Sequence, residues 1–260
     1  MKKIILVSCI TFCIIAVAKI NSRNSFITSP TSESWEKIEI TDFEVNTKQV
    51  AEFYNGLTKF SVNITHASYK GHSTLVAHEK MSGYFKRDGK NYKSSMMGIL
   101  TIQNEKAKIV IDTMGKTILV AHPDSFEPSD VITLEYIQGK KNLKSTTKKT
   151  EDKAVRYKLE YTSGKYSACE ILFSNEGAIN EIVFLFRESF RVNPIDENSE
   201  MASPKAIISY KDLKKNPVFD KAEFDISNYI NLPVKGEPVG VKNYKEYKIV
   251  DTRYYDSSKN

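Results

Sequence analysis

The chain has 260 residues, of which 40% are hydrophobic and 27% are charged. This balance is that of a globular protein and excludes a disordered or fibrous chain, and the length suits one large domain. The formal net charge of +6 is mild: it permits attraction to acidic headgroups, and we expect no nucleic-acid partner. The 14 Tyr and 13 Phe, residue types that favour strands, indicate a mainly β protein.

Residues 1–18 have the pattern of a secretory signal peptide. A basic pair, Lys2 and Lys3, precedes a short apolar run that ends in "AVA", which matches an A-x-A cleavage site. The run is shorter than the roughly 20 apolar residues needed to span a bilayer. We therefore predict a cleaved signal peptide, a periplasmic mature protein, and a flexible, Ser/Thr-rich leader over residues 19–40. An uncleaved anchor is the alternative.

The cysteines leave no pair for an internal disulfide in the mature chain. Cys9 and Cys13 lie in the predicted signal peptide, so only Cys169 remains. It lies in the alternating segment "YSACEILFS", and we expect a buried, small apolar residue there rather than a nucleophile. The fold is therefore held by its core, as expected for a domain of this size.

The first elements after the leader are a helix and a strand. A helical stripe of Val45, Val50, Phe53, Tyr54 and Leu57 predicts a helix over residues 41–57. In "LTKFSVNITHAS" the period changes to two, which indicates a half-buried strand with one apolar face. A meander of antiparallel strands follows, with turn signals at Asp88-Gly89, Asn104-Glu105 and Met114-Gly115.

Helix signals return in "EPSDVITLEYIQG", where Pro128 and Gly139 mark a start and an end. The next segment, "KKNLKSTTKKTEDK", is interpreted as a basic, turn-rich loop. It is either a patch for acidic lipid headgroups or, as we favour, a solvated hairpin or mobile loop. Strand patterns resume in "AVRYKLEYT", "SACEILFSN", "AINEIVFLFRE" and "KAIISYKDL". Together these elements predict an α+β, mainly antiparallel fold with helices on one face of a large sheet.

The sequence contains few candidates for polar chemistry. His66, His72 and His78 are evenly spaced, but the zinc pattern H-E-x-x-H fails at Ser82. A hairpin around His72 would place His66 opposite His78, which makes a metal site a minor alternative. No nucleophile elbow, phosphate-binding loop, dinucleotide fingerprint or acid/base pair is recognisable. We predict a protein that is not an enzyme, with no catalytic residues, metal or cofactor.

Three stretches resemble the outer-membrane lipoprotein carrier and lipoprotein-sorting family (LolA/LolB-like). "VAEFYNGLTKFSVNITHASY" looks like its opening helix and first strand, and "GYFKRDGKNYKSSMMGILTIQNEKAKIVIDTMGKTILVAHPD" is similar to its meander. The closing strands of the family resemble "AINEIVFLFRE" through "ISYKDLKKNPVFDKAEFDI". The resemblance covers residues 41–230 and leaves 231–260 as a C-terminal extension. It implies a half-barrel whose curved meander sheet has helices over a concave apolar cavity.

The resemblance implies a monomeric periplasmic carrier or chaperone for the transport of lipoprotein acyl chains or other lipid, with envelope proteins as further partners. The alternative is an envelope interaction or assembly protein that uses the same scaffold without lipid; a metal-dependent hydrolase at His66 and His78 is a third hypothesis. The expected outer face is polar, with Lys59, Asn63, Lys86 and Lys108. Cavity candidates, for which ordinary core is the alternative role, are Phe60, Val62, Ile64, Phe85, Ile99, Ile109, Ile111, Ile118 and Val120, with Ile132 and Tyr136 on a lid helix.

Overall fold

The computed structural model describes residues 34–124, 142–151, 153–191, 195, 198–233 and 236–253. The predicted signal peptide and the predicted helix over 127–139 lie outside these ranges.

The described residues form one α-helix, seventeen strands and two short 3-10 helices. The first half comprises β1 (Glu36–Ile38), α1 (Ile40–Gly56), β2 (Lys59–Tyr69), β3 (Glu79–Asp88), β4 (Asn91–Met96), β5 (Ile99–Gln103), β6 (Lys108–Asp112) and β7 (Thr117–Ala121). The second half comprises β8 (Leu143–Glu151), β9 (Ala154–Tyr161), β10 (Tyr166–Ser174), β11 (Ile179–Phe186), β12 (Phe190–Arg191), β13 (Met201–Ala202), β14 (Lys205–Lys215), β15 (Ile230–Asn231), β16 (Val239–Gly240) and β17 (Lys248–Asp251), with 3-10 helices at Ile226–Asn228 and Lys242–Tyr244.

Thirteen of these strands make one curved sheet in the order β1-β8-β9-β10-β11-β14-β2-β3-β4-β5-β6-β7-β17. Neighbours are antiparallel, except that β17 runs parallel to β7. The sheet does not close into a barrel. The predicted fold class, a mainly antiparallel α+β half-barrel, is therefore confirmed.

Helix α1 buries a stripe that differs from the predicted one. Its buried positions are Phe43, Thr47, Val50 and Tyr54, spaced by three or four residues, as one face of an α-helix requires. Val45, which the predicted stripe included, is exposed. The helix ends at Gly56, one residue before the predicted boundary.

The predicted turns all lie between paired strands of the meander. Gly89 has a positive φ of 60° in the β3–β4 turn, where a residue without a Cβ is favoured. A further hairpin that the sequence analysis missed joins β4 to β5 at Met97 and Gly98, which have φ values of 53° and 78°. Two successive positive φ values are the signature of a type I′ hairpin turn.

The segment predicted to be a basic, turn-rich loop is strand β8. The prediction of a loop was therefore wrong, and only the alternative of a hairpin agrees with the structure. β8 pairs with β9 along its whole length, and Thr146, opposite Leu159, is buried. Threonine is β-branched and fits a pleated, half-buried surface, which outweighs the lysines around it. The end of the predicted leader is ordered as well, because Glu36–Ile38 pairs with β8 as an edge strand.

The two faces of the sheet carry separate hydrophobic cores. Residues that are Cα partners across antiparallel strands share a face, and successive residues of a strand alternate faces. One row runs through Val62, Phe85, Ser94, Thr101 and Val110 on the side that α1 covers, which we call the helix face. The opposite side of the sheet, which we call the tail face, is covered by residues 223–233 and 236–253, which we call the tail.

Candidate ligand-binding site

Four of the predicted cavity residues come together on the helix face. Phe60, Val62, Ile64 and Phe85 are all buried, and the ring centroids of Phe60 and Phe85 are 5.4 Å apart. They belong to one cluster with side chains from β9 and β10. At this end of the sheet the four residues form part of a packed core.

Helix α1 covers this end of the helix face through aromatic contacts. The Phe43 ring packs edge-on against Tyr157 at 5.4 Å, and the Tyr54 ring packs against Phe60 at 5.8 Å. The backbone N–H of Ile179 donates to the Tyr54 hydroxyl at 3.3 Å. Burial raises the pKa of Tyr54 to about 12, so its hydroxyl stays protonated. The helix is thus anchored to β2, β9 and β11.

Four other predicted cavity residues lie on the tail face. Ile109 and Val120 are Cα partners, as are Ile111 and Ile118, and all four are fully buried. They pack in one cluster with tail residues that include Ile226 and Ile230. The predicted cavity set is therefore divided between opposite faces of the sheet, and no single concave surface holds all of it.

The remaining predicted residues have separate outcomes. Ile99 lies on the helix face, half-buried between its partners Met96 and Asp112. Ile132 and Tyr136 lie outside the described residues. Lys108, which was predicted on the polar outer face, shares the helix face and forms an ion pair with Asp124. That prediction was wrong because Ile109 and Ile111 face an apolar layer on the other side, where the tail lies.

The other end of the helix face is only partly buried. There the last residues of β11 and the first residues of β3, β10 and β14 present apolar side chains that remain in part accessible to solvent. The Tyr166 ring lies 5.0 Å from the Phe184 ring and 5.2 Å from the Phe186 ring, centroid to centroid. We call this surface the open end; its half-buried apolar residues are Met81, Tyr166, Ile182, Phe184, Phe186 and Ile208.

His66 is the polar residue next to the open end. Its Cα partners on the two neighbouring strands are Met81 and Ile208, so its side chain is on the helix face, as the alternation predicted. Its Nδ1 is buried, and no described residue offers it a hydrogen-bond partner. Burial lowers the pKa of His66, and the Glu79 carboxylate opposes this shift only in part. The imidazole is therefore neutral at pH 7.

The three histidines do not converge. β2 and β3 pair Ser68 with Glu79 and His66 with Met81, so His78 lies just beyond the paired residues instead of opposite His66. The His72 Nε2–H donates to the Phe186 carbonyl at 3.0 Å. Within the described ranges, no group of three or more His, Cys, Asp and Glu side chains is arranged to hold a metal ion.

The sequence alone predicts only some of the residues that form the open end. Ile182, Phe184 and Phe186 alternate strictly in "AINEIVFLFRE", which indicates a shared face. Their closeness to Ile208 and His66 depends on β14 pairing with both β11 and β2, and β14 is distant from β2 in the chain. No local pattern specifies such a pairing.

The fold is an open, curved antiparallel half-barrel, and the site is an apolar surface on its helix face. No protein-family model matches the sequence. No curated protein matches it either.

Solved structures with a similar fold include an uncharacterized conserved protein from Thermus thermophilus, with 11% identity, a TM-score of 0.42, and coverage of 81% of this chain and 99% of that one. They also include a LolA superfamily protein from Nitrosomonas europaea, with 10% identity, a TM-score of 0.29 and coverage of 70% and 96%. A putative outer membrane lipoprotein-sorting protein domain from Vibrio parahaemolyticus has 7% identity, a TM-score of 0.26 and coverage of 72% and 96%. These values are low, so the function is argued below from the geometry of this chain.

In the part of the chain that the structure describes, no helix combines the length and the apolar character needed to cross a membrane.

Proposed function

We propose that the protein is a non-enzymatic carrier that binds an acyl chain, or another extended apolar ligand, at the open end of the helix face. The observation that carries this proposal is the row of half-buried apolar side chains that continues from the packed core under α1 towards solvent. An apolar surface of this kind binds by area, and each Å² removed from water contributes about 25 cal/mol. The predicted signal peptide supports the proposal that such a carrier works in the cell envelope.

The geometry fits a ligand with a long apolar part and a small polar group. Phe184, Ile182 and Ile208 would contact the apolar part, and the edge-to-face rings of Tyr166 and Phe186 would close one side. If the His66 ring turns so that its buried Nδ1 reaches the site, that nitrogen would give the polar group one hydrogen-bond partner, which offsets the cost of leaving it unpaired. Lipoprotein acyl chains, with ester and amide groups at one end, match this description.

A matched pair of variants on β14 tests the proposal. Ile208 faces the helix side and its neighbour Ile207 faces the other side, and both are half-buried. With a dansyl-labelled fatty acid as the probe, we expect Ile208→Glu to weaken binding at least about tenfold, or ~1.4 kcal/mol. Ile207→Glu, with a similar effect on stability, should bind nearly as the wild type does. Equal losses in both variants, or no uptake by the wild-type protein, would overturn the proposal.

The packed end of the sheet favours a second candidate, an envelope interaction or assembly protein that carries no lipid. Phe60, Val62, Ile64 and Phe85 are buried by α1, which suits a scaffold as well as a carrier. Native mass spectrometry of protein purified from the cell envelope separates the two functions. A co-purifying lipid that dissociates on activation supports the carrier. A protein partner bound at fixed stoichiometry, without lipid, supports the scaffold.

A further inference from the structure

Three segments meet beyond the open end and form one continuous surface, which we call the rim: residues 70–78, 186–191 and 198–205. The Lys205 ammonium donates to the His72 carbonyl at 2.7 Å, and the His72 imidazole is hydrogen-bonded to the Phe186 carbonyl. The Ser189 and Ser203 hydroxyls are 2.8 Å apart, and β12 pairs with β13 between them. These contacts hold the loop after β2 against the connection between β11 and β14.

The rim exposes large apolar side chains at its outer tips. Leu75 is 91% exposed and its neighbour Val76 is 79% exposed, on the same loop. Phe190 and Met201, on the paired strands β12 and β13, are each more than half exposed. Phe190 shares a face of the β12–β13 hairpin with Ala202, and Met201 lies on the other face with Arg191. Single exposed apolar residues are ordinary, but the adjacent pair Leu75 and Val76 at the tip of one loop, with Phe190 on an adjoining segment, indicates a contact surface.

Basic side chains also lie at this end of the sheet. The Lys165 ammonium lies 5.5 Å and 5.4 Å from the ring centroids of Tyr166 and Phe186, and Lys205 lies 4.7 Å from that of Tyr69. An aromatic body with a cation beside it is the arrangement that suits a membrane–water interface. In the described rim and at Lys165 the basic residues Lys70, Lys165, Arg187, Arg191 and Lys205 outnumber the acidic Glu188 and Glu200.

We propose that the rim is a membrane-contact surface, on which the protein rests against a bilayer containing anionic lipid and inserts Leu75 and Val76 among the acyl chains. The apolar tips supply insertion, and the lysines and arginines attract the headgroups. Glu188 and Glu200 offset part of this positive charge. The preference for anionic over neutral lipid is therefore expected to be a fewfold effect that salt weakens.

This surface does not depend on ligand binding at the open end, although the two lie at the same end of the sheet. A protein that docks on membranes through the rim without carrying a lipid would satisfy this inference alone. Probe binding in the Ile208→Glu and Ile207→Glu variants tests the carrier, and vesicle insertion tests the rim, so either proposal can fail by itself.

A local fluorescence readout is required, because the apolar run in residues 4–18 of the full chain can itself bind vesicles. We replace the single tryptophan with Trp35→Phe and introduce Leu75→Trp in that background. The matched control is Val218→Trp: Val218 is 97% exposed and follows the opposite end of β14. Eleven residues of strand at about 3.3 Å each separate it from the rim by roughly 35 Å.

With phosphatidylglycerol vesicles we expect the Leu75→Trp emission to shift to shorter wavelength, and brominated acyl chains to quench it at least twofold. Phosphatidylcholine vesicles should require a severalfold higher lipid concentration for the same shift. The Val218→Trp emission should remain that of a tryptophan in water with both lipids. The inference is overturned if position 75 shows no shift or quenching, or if position 218 responds equally. A rim that instead binds a protein partner gives the first of these results.

Discussion

The two halves of the sheet bury opposite faces. In β2, β9, β10 and β11 the largest buried apolar side chains lie on the helix face, and the other face carries charges such as Arg156, which is paired with Glu151 and Glu181. In β5, β6 and β7 the fully buried isoleucines lie on the tail face, and the helix face holds buried polar residues, Thr101 and Gln103 among them. One continuous sheet thus serves two cores, and strand alternation alone does not say which core a residue joins.

The difference also changes the role of the tail. The segment predicted as an extension, residues 231–260, supplies Tyr244, Tyr247 and Ile249 to the second core, and β17 lies along β7. Two ion pairs, which we call the latch, join the tail to the sheet. The Glu223 carboxylate is 3.0 Å from the Lys86 ammonium and 3.1 Å from that of Lys93. The tail is therefore part of the hydrophobic structure of the protein.

The largest expected effect comes from the core under α1. Phe85→Ala removes a fully buried ring that stacks on Tyr92 at 6.0 Å. We expect the free energy of unfolding to fall by about 3–5 kcal/mol, measured by chemical denaturation. Leu75→Ala, at a highly exposed position, is the control and should change it by no more than about 0.5 kcal/mol. A loss below about 1 kcal/mol at Phe85 would mean that this end is an adaptable cavity.

The second prediction tests whether the core under the tail contributes as much to the free energy of unfolding as the core under α1. Ile230→Ala truncates a fully buried side chain in contact with the isoleucines of the tail face. The expected loss in the free energy of unfolding is about 2–4 kcal/mol. Val239→Ala, on the exposed side of the same small hairpin, should have little effect. If Ile230→Ala were as mild as Val239→Ala, the tail would be an independent extension after all.

A smaller effect is expected at the latch. Burial raises the pKa of Glu223, but the hydrogen bonds and charges of Lys86 and Lys93 outweigh this effect. The pKa of Glu223 therefore lies below its usual 4.5. A carboxyl group with a lowered pKa in the folded state stabilises the fold at neutral pH, and this contribution is lost as the pH falls below 4.5. We expect Glu223→Gln to cost about 1 kcal/mol at pH 7 and little at pH 3.

Denaturant titrations at several pH values measure this difference. The control is Glu176→Gln, which removes the solvent-exposed ion pair with Lys215 on a different part of the surface. A loss in Glu223→Gln that is the same at pH 7 and pH 3 would show that the two lysines do not stabilise the tail through charge.

The smallest effect concerns His66, beside the open end. Its pKa is lowered by burial, so the unfolded chain binds more protons than the folded one just below pH 6.5. The stability is complete above that pH and decreases as the pH falls through the lowered value. His66→Gln should flatten this part of the pH–stability curve. Identical curves for wild type and His66→Gln would indicate a solvated imidazole.

Local patterns predicted much of this fold. The period of two identified Phe60, Val62 and Ile64 as one buried face, and Asp88-Gly89 located a hairpin, because both signals come from neighbouring residues. The division of Ile109 and Ile118 from Phe85 was not predictable in this way. It depends on the tail, which returns to the sheet from a distant part of the sequence, and on β14, which enters between β11 and β2.

The parallel pairing of β17 with β7 has a consequence for how the chain folds. The Thr252 hydroxyl donates to the Val120 carbonyl across 132 positions of sequence, so the tail face is covered only when a much later part of the chain arrives. Until then Ile109, Ile111 and Ile118 remain open to water on strands that already pair with each other. Contacts of such long range form slowly. A chain whose tail has not yet docked would therefore expose apolar side chains on paired strands, a state that is prone to aggregate.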